Sequence, residues 1–255
     1  MIFLRFASAA LVLCGATACS ETPARRPASA AETTPPDTAA VQKAAQEYRV
    51  HYNTPLSLDS TDFYYQPVSV VAQDAGGRSR ILSSSSYSSD SEGNSGIEGT
   101  CYNVLFFQKS GRQEHALLPH GRFVITEIDA EKKPDVRWPY LFYTFIKADT
   151  NADRDQDGED ASALFVSDRS GRQLRQLTPD GTRLESRSIL PKTSILLVEV
   201  WPDTNKDRAF THADGTYWLR FDLANLTAPP VRQPTAALAE ALHQQMLLRQ
   251  ARHGN

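Results

Sequence analysis

"SGRQLRQLTPDG", residues 170–181, decides how the chain divides. The stretch "SGRQEHALLPHG" at 110–121 carries Ser, Gly, Arg, Gln, Leu, Pro and Gly in the same register, 60 positions earlier. Each copy follows an apolar run with the composition of a strand, "CYNVLFFQK" (101–109) in one case and "SALFVSDR" (162–169) in the other. A second pair of stretches repeats further on. "DTNADRDQDGED" (149–160) and "DTNKDRAFTHAD" (203–214) match as D-T-N-x-D-R-x-x-x-x-x-D, 54 positions apart. Each of these follows a strong apolar run, "YLFYTFI" (140–146) or "SILLVEV" (194–200), and precedes another strand.

Together these stretches define one repeating unit: strand, polar insertion, strand, tight Gly turn, strand. The first unit starts at "PVSVVAQ" (67–73) and has the Ser-rich "SSSSYSSDSEGNSG" (83–96) as its insertion; the second starts near Tyr140, and the shorter third near Ser194. In "TYWLRFDL" (216–223), Tyr217, Leu219, Phe221 and Leu223 alternate with Trp218, Arg220 and Asp222, the period of a half-buried strand. "YLFYTFI" is apolar on both faces and reads as a central strand. The fold class is therefore mainly β, with antiparallel sheets from about three repeats of 50 to 60 residues. Short helices flank them, over 38–50 ("TAAVQKAAQEYRV") and from Thr235 onward, where Thr235 is the N-cap and Leu238, Ala241, Leu242 and Met246 line the face packed on the domain.

Such a period suggests propeller-like blades. "ALFVSDRSGRQLRQLTPDG" (163–181) resembles a blade of the TolB-type propeller repeat, with its S-D-x-x-G turn and L-T ending. The resemblance is close over these residues and looser over 138–224. The acidic insertions are foreign to that blade, and three units are too few to close an ordinary ring. The alternatives are sheets packed face to face as a β-sandwich, or an open arc.

The acidic insertions carry the pattern of an ion site. With residue 149 as position 1, Asp149, Asn151, Asp153, Asp155, Asp157 and Asp160 occupy positions 1, 3, 5, 7, 9 and 12. With residue 203 as position 1, Asp203, Asn205, Asp207, Ala209, Thr211 and Asp214 do the same. This is the ligand spacing of an EF-hand-type loop. Calcium takes six to eight hard oxygens, alternate residues of a tight loop can all point inward, and position 7 gives only its backbone carbonyl, so Ala209 is no defect. Two features depart from the motif: Arg154 and Arg208 stand at position 6, normally Gly, and position 12 is Asp rather than Glu. Starting the first loop at Asp153 would put Gly158 at position 6 but Leu164, which cannot ligate, at position 12. The loops resemble the D-x-N-x-D calcium loops of extracellular bacterial proteins. One or two structural Ca²⁺ ions are expected, with the more acidic first loop binding tighter. Asp90, Glu92 and Asn94 only weakly echo a third loop.

The N-terminus reads as an export signal. "MIFLRFASAALVLCGATACS" has one charge, Arg5, an apolar stretch too short to span a bilayer, and small residues before Cys19. The small residues before Cys19 resemble the lipobox of bacterial lipoproteins, with Ala16 where Leu is usual. The resemblance implies cleavage after residue 18, lipidation at Cys19 and, with Ser20 following, outer-membrane sorting. Residues 19–40, rich in Pro, Ala, Thr and Ser, form an extended tether. The organisation is thus signal peptide 1–18, tether 19–40, β-repeat domain 41–232 and C-terminal helix 233–255.

Composition narrows the function. With 27 Lys and Arg against 30 Asp and Glu, the net charge is −3, and there is no basic footprint for nucleic acid. Of three cysteines, one lies in the signal and one is the anchor, so Cys101 has no partner for an intrachain disulfide. There is no Gly-rich phosphate loop, no G-x-S-x-G and no H-E-x-x-H, and His115 and His120 read as surface residues. The expectation is a non-enzymatic, calcium-stabilised lipoprotein that faces the periplasm and meets an envelope partner. The alternative is a hydrolase or glycan-active enzyme with a site between blades, which would gather His51, His115 or His120 with a buried carboxylate.

Overall fold

The structure is a computed structural model that describes residues 37–73, 79–81, 96–131, 135 and 137–253. The signal peptide, most of the tether, Cys19, and Asp90, Glu92 and Asn94 lie outside the described residues. The chain divides into two units, 1–42 and 43–255.

Helix α1 (Thr38–Glu47) runs straight into strand β1 (Tyr48–Tyr52), so the expected helix over 38–50 ends three residues early. Tyr48, Arg49 and Val50 instead pair with Ala72, Val71 and Val70. The reason is the partner: a β-branched and aromatic "YRVHY" beside a long strand gains more from pairing than from a last helical turn.

Two antiparallel sheets follow. The larger holds β1, β2 (Leu56–Ser57), β3 (Phe63–Gln73), β4 (Ser79–Ile81), β5 (Thr100–Gln108), β6 (Glu114–Ala116), β7 (Val124–Asp129), β8 (Tyr140–Ile146), β9 (Ser162–Asp168) and β10 (Arg175–Gln176). Its main path runs β1-β3-β5-β7-β8-β9-β10. The smaller holds β11 (Thr182–Ile189), β12 (Ile195–Pro202), β13 (Tyr217–Asp222) and β14 (Val231–Gln233) in sequence order.

The repeat read from the sequence has a direct geometric counterpart. Phe106 pairs with His115 and Leu105 with Ala116 across β5 and β6; 60 positions on, Val166 pairs with Arg175 and Phe165 with Gln176 across β9 and β10. Leu117 N donates to Val104 O at 2.8 Å, and Leu177 N donates to Leu164 O at 2.8 Å. The triplets β3-β5-β6 and β8-β9-β10 are therefore copies of one unit, and β12-β13-β14 repeats their strand order. They are not separate blades. β7 touches β5 at Cys101–Ile125 and pairs with β8 along its length, which joins the first two units into one sheet. Among the described residues the sheets do not close into a ring.

"YLFYTFI" is the central strand its composition indicated. Leu141, Tyr143 and Phe145 face a first core with Tyr65, Val104, Phe106, Ile125 and Phe165. Phe142 on the opposite face joins Leu164 and Val166 in a second core against Leu196, Val198, Val200, Leu219 and Phe221 of the small sheet. Each such fully buried aliphatic or aromatic side chain contributes roughly 1.5–3 kcal/mol, so the two-faced β8-β9 pair is the centre of the fold. The large sheet also curls. Gly171, just past β9, lies so near Phe106 of β5 that a Cβ there would sit 2.3 Å from the ring, and its φ of +76° also favours Gly. Strands three places apart in a flat sheet would be too distant for this contact.

Helix α2 (Ala236–His253) is capped as expected, with Leu238 N donating to Thr235 Oγ1. It does not pack on the domain. Leu238, Leu242 and Met246 are 53, 49 and 42 % exposed. The inner faces of the small sheet and of β8-β9 already cover one another, which leaves no core surface for the helix to join. Among the described residues no helix is long and apolar enough to cross a membrane.

Candidate metal centre

Both acidic loops connect the first two strands of a unit: the first joins β8 to β9, the second β12 to β13. Their internal hydrogen bonds repeat at the 54-residue offset. Asn151 Oδ1 accepts from Asp153 N at 3.0 Å, and Asn205 Oδ1 from Asp207 N at 2.9 Å. Asp153 Oδ1 accepts from Asp155 N and Asp207 Oδ1 from Ala209 N, both at 2.8 Å. Asp149 Oδ2 accepts from Arg154 N at 2.8 Å, and Asp203 Oδ2 from Arg208 N at 3.2 Å. Short Asp and Asn side chains can reach the amide two residues on, and that is why alternation winds the chain this tightly.

The backbone follows the register that begins at 149 and 203. Ala152 and Arg154 have φ of +65° and +79°; Lys206 and Arg208 have +61° and +69°. Position 6 thus adopts the left-handed conformation the motif requires, without its usual Gly, at roughly 1 kcal/mol per residue. Gly158, the hinge of the alternative register, is not among the positive-φ residues.

Position 12 is a staple. Asp160 is only 1 % exposed and takes hydrogen bonds from Thr150 N, Thr150 Oγ1, Asn151 N and Asp157 N. Asp214 takes the same amides, Thr204 N at 3.1 Å, Asn205 N at 3.4 Å and Thr211 N at 3.0 Å. The Thr211 amide foremost, then those of Asn205 and Thr204, hold the Asp214 carboxyl below its ordinary range. These carboxylates keep the two ends of each loop together, a task the sequence pattern alone did not distinguish from ligation.

The loops also share a footing. Lys147, just before the first loop, donates to Gln176 Oε1 at 2.8 Å and pairs with Asp180; Asp203 N donates to Gly181 O at 3.4 Å. The "TPDG" turn therefore touches the root of both. Gln156 fastens the first loop to the large sheet through Ile146 O and Arg122 O, a tie with no signature in the sequence.

Among the described residues, no group of three or more His, Cys, Asp or Glu side chains stands gathered as a metal cluster. The first loop carries five Asp and the second three, and in both these side chains are turned to the loop's own amides instead of converging on one point. One donor points to a cation: Asp203 Oδ1 is closed off from solvent and has no hydrogen-bond partner among the described residues. A buried carboxylate oxygen without a donor is costly unless a cation meets it. The donor set, hard oxygens on a left-handed loop, fits calcium.

His51, His115 and His120 have separate surroundings. His51 of β1 lies 3.7 Å from Glu98. His120 meets Phe123 edge-on at 4.7 Å. His115 is half-buried rather than on the surface, stacked on Phe106 at 5.5 Å with both ring nitrogens unpartnered among the described residues. Phe106 and Phe63 enclose it, because the pairing of β6 with β5 turns its ring toward the first core. Among the described residues the buried carboxylates are Asp160 and Asp214, and both belong to the loops. Cys101 is fully buried, and burial pushes its thiol up to about 12, leaving it unreactive.

No known protein family matches the chain, and no curated protein matches it in sequence.

Proposed function

We propose that this chain is a calcium-stabilised lipoprotein of the bacterial envelope, a non-enzymatic binding module rather than a catalyst. One observation carries the reading: two twelve-residue loops at equivalent places in a repeat share the same hydrogen bonds and left-handed residues, and a buried Asp203 oxygen has no hydrogen-bond donor among the described residues. Calcium at Asp149, Asn151, Asp153, Asp155, Asp157 and Asp160, and at the equivalent positions of the second loop, would tie β8 to β9 and β12 to β13. The protein's own part is to hold the oxygens in place; the ion supplies the charge that lets them sit close.

The repeat is blade-like in the TolB manner, opened into an arc, and its sheets offer a β-surface to an envelope partner. The export signal supports a periplasm-facing position at the outer membrane, held by lipid on Cys19. Replacing Cys19 with Ala should move the protein from the membrane fraction to the soluble fraction on cell fractionation. A variant that stays with the membrane, with its mature N-terminus elsewhere, would contradict the anchor.

A further inference from the structure

Arg169 is a buried charge left unmatched among the described residues. It is 6 % exposed, and its Nε, Nη1 and Nη2 are closed off from solvent with no hydrogen-bond partner among the described residues. Its backbone cannot swing it out. Asp168 accepts from Ser170 N and Arg172 N, both at 2.9 Å, and the turn is packed on Phe106 through Gly171. Four elements bring polar groups near enough to act on the guanidinium: Asp59 from the β2–β3 loop, Glu131 beyond β7, Tyr143 of β8 and Tyr65 of β3. Neither carboxylate forms an ion pair with it among the described residues, and nearby Asp129 is engaged by Arg187 at 2.7 Å. Tyr143 shares a 2.7 Å hydrogen bond with Ser167.

An unpaired buried guanidinium is strongly destabilising, and its planar fork of five donors is matched by a carboxylate or a phosphate. We propose that Arg169, flanked by Tyr65 and Tyr143, anchors a binding site for an oxyanion group at the end of the curled sheet, where the β2–β3 loop meets the β9–β10 turn. The group is a carboxylate or phosphate on a small molecule. Residues 58–62, which carry Asp59, are held in place against the β5–β6 turn by Lys109 Nζ on Leu58 O and Thr61 O and by Ser110 N on Asp62. The site is separate from the acidic loops and does not depend on calcium.

Thermal melting of the full chain tests this in calcium-free buffer at fixed ionic strength, with acetate or inorganic phosphate exchanged for chloride. The wild type should show a saturable rise of about 3–5 °C at tenfold over the dissociation constant with at least one of the two anions. Acetate acting alone assigns a carboxylate, and phosphate acting alone a phosphate. Arg169→Met should lose the rise yet melt no lower than wild type in chloride, because an uncompensated charge has been replaced by an apolar chain. Arg169→Lys should keep a weaker rise. The proposal is overturned if neither anion gives a saturable rise, or if Arg169→Met keeps it. It is also overturned if Arg169→Met melts well below wild type in chloride and Asp59→Asn or Glu131→Gln falls by a similar amount, since the arginine is then paired within the chain.

Discussion

Calcium at tenfold over its dissociation constant should stabilise the folded chain by about 1.4 kcal/mol per occupied loop, because it binds the folded loop and not the unfolded chain. For a domain of this size that raises the melting temperature by about 3–5 °C per site. Extracellular loops of this kind bind at about 10⁻⁴ to 10⁻³ M, so millimolar concentrations are needed. Magnesium should not substitute, because it demands near-ideal octahedral geometry and gives up its water reluctantly. The quantity to compare is the shift between calcium and chelator within each variant. Asp149 and Asp203 also accept loop amides, so their loss lowers the baseline as well. Asp149→Ala with Asp153→Ala should remove most of the shift. Asp203→Ala with Asp207→Ala should remove a smaller part, since the second loop has Ala209 and Thr211 where the first has two more carboxylates. Shifts that survive both double substitutions would place the ion elsewhere.

Asp160→Ala should destabilise the chain by about 2–4 kcal/mol in chelator as well as in calcium. Removing this side chain strands the amides of Thr150, Asn151 and Asp157 and the hydroxyl of Thr150 at the closed end of the loop, and each buried donor left unpaired costs roughly 1–3 kcal/mol before water reaches it. Asp153→Ala, at an exposed position, should cost well under half as much in chelator while still removing calcium's effect. The pair of variants separates a position that builds the loop whether or not calcium is bound from one whose part is to ligate. Chemical denaturation of both in chelator checks the difference; an Asp160→Ala midpoint close to wild type would mean that the staple does not hold the loop.

The parts of the fold written in short-range pattern were legible. A Gly turn between alternating strands fixes its own register, so the 60-residue echo of "SGRQ" foretold the equivalent pairings at Phe106 and Val166. Likewise the 54-residue echo of D-T-N-x-D-R foretold the left-handed Arg154 and Arg208. What depends on distant partners was not legible. "VITEID" gives no sign that β7 will bridge two units instead of closing one, because its pairing with β8 is set by where the chain returns after residue 129. The exposure of α2 depends on the second core being complete without it. Arg169 sits in a sequence that reads as an ordinary polar turn, yet the fold buries it.

Equilibrium calcium binding to the full chain, by isothermal titration up to about 10 mM, tests the central claim most directly. Saturable binding of up to two ions, reduced by Asp149→Ala with Asp153→Ala and abolished when the Asp203→Ala and Asp207→Ala pair is added, is the predicted result. A flat titration over the whole range, or binding that all four substitutions leave intact, would contradict it and leave both acidic loops as hydrogen-bonded turns facing solvent.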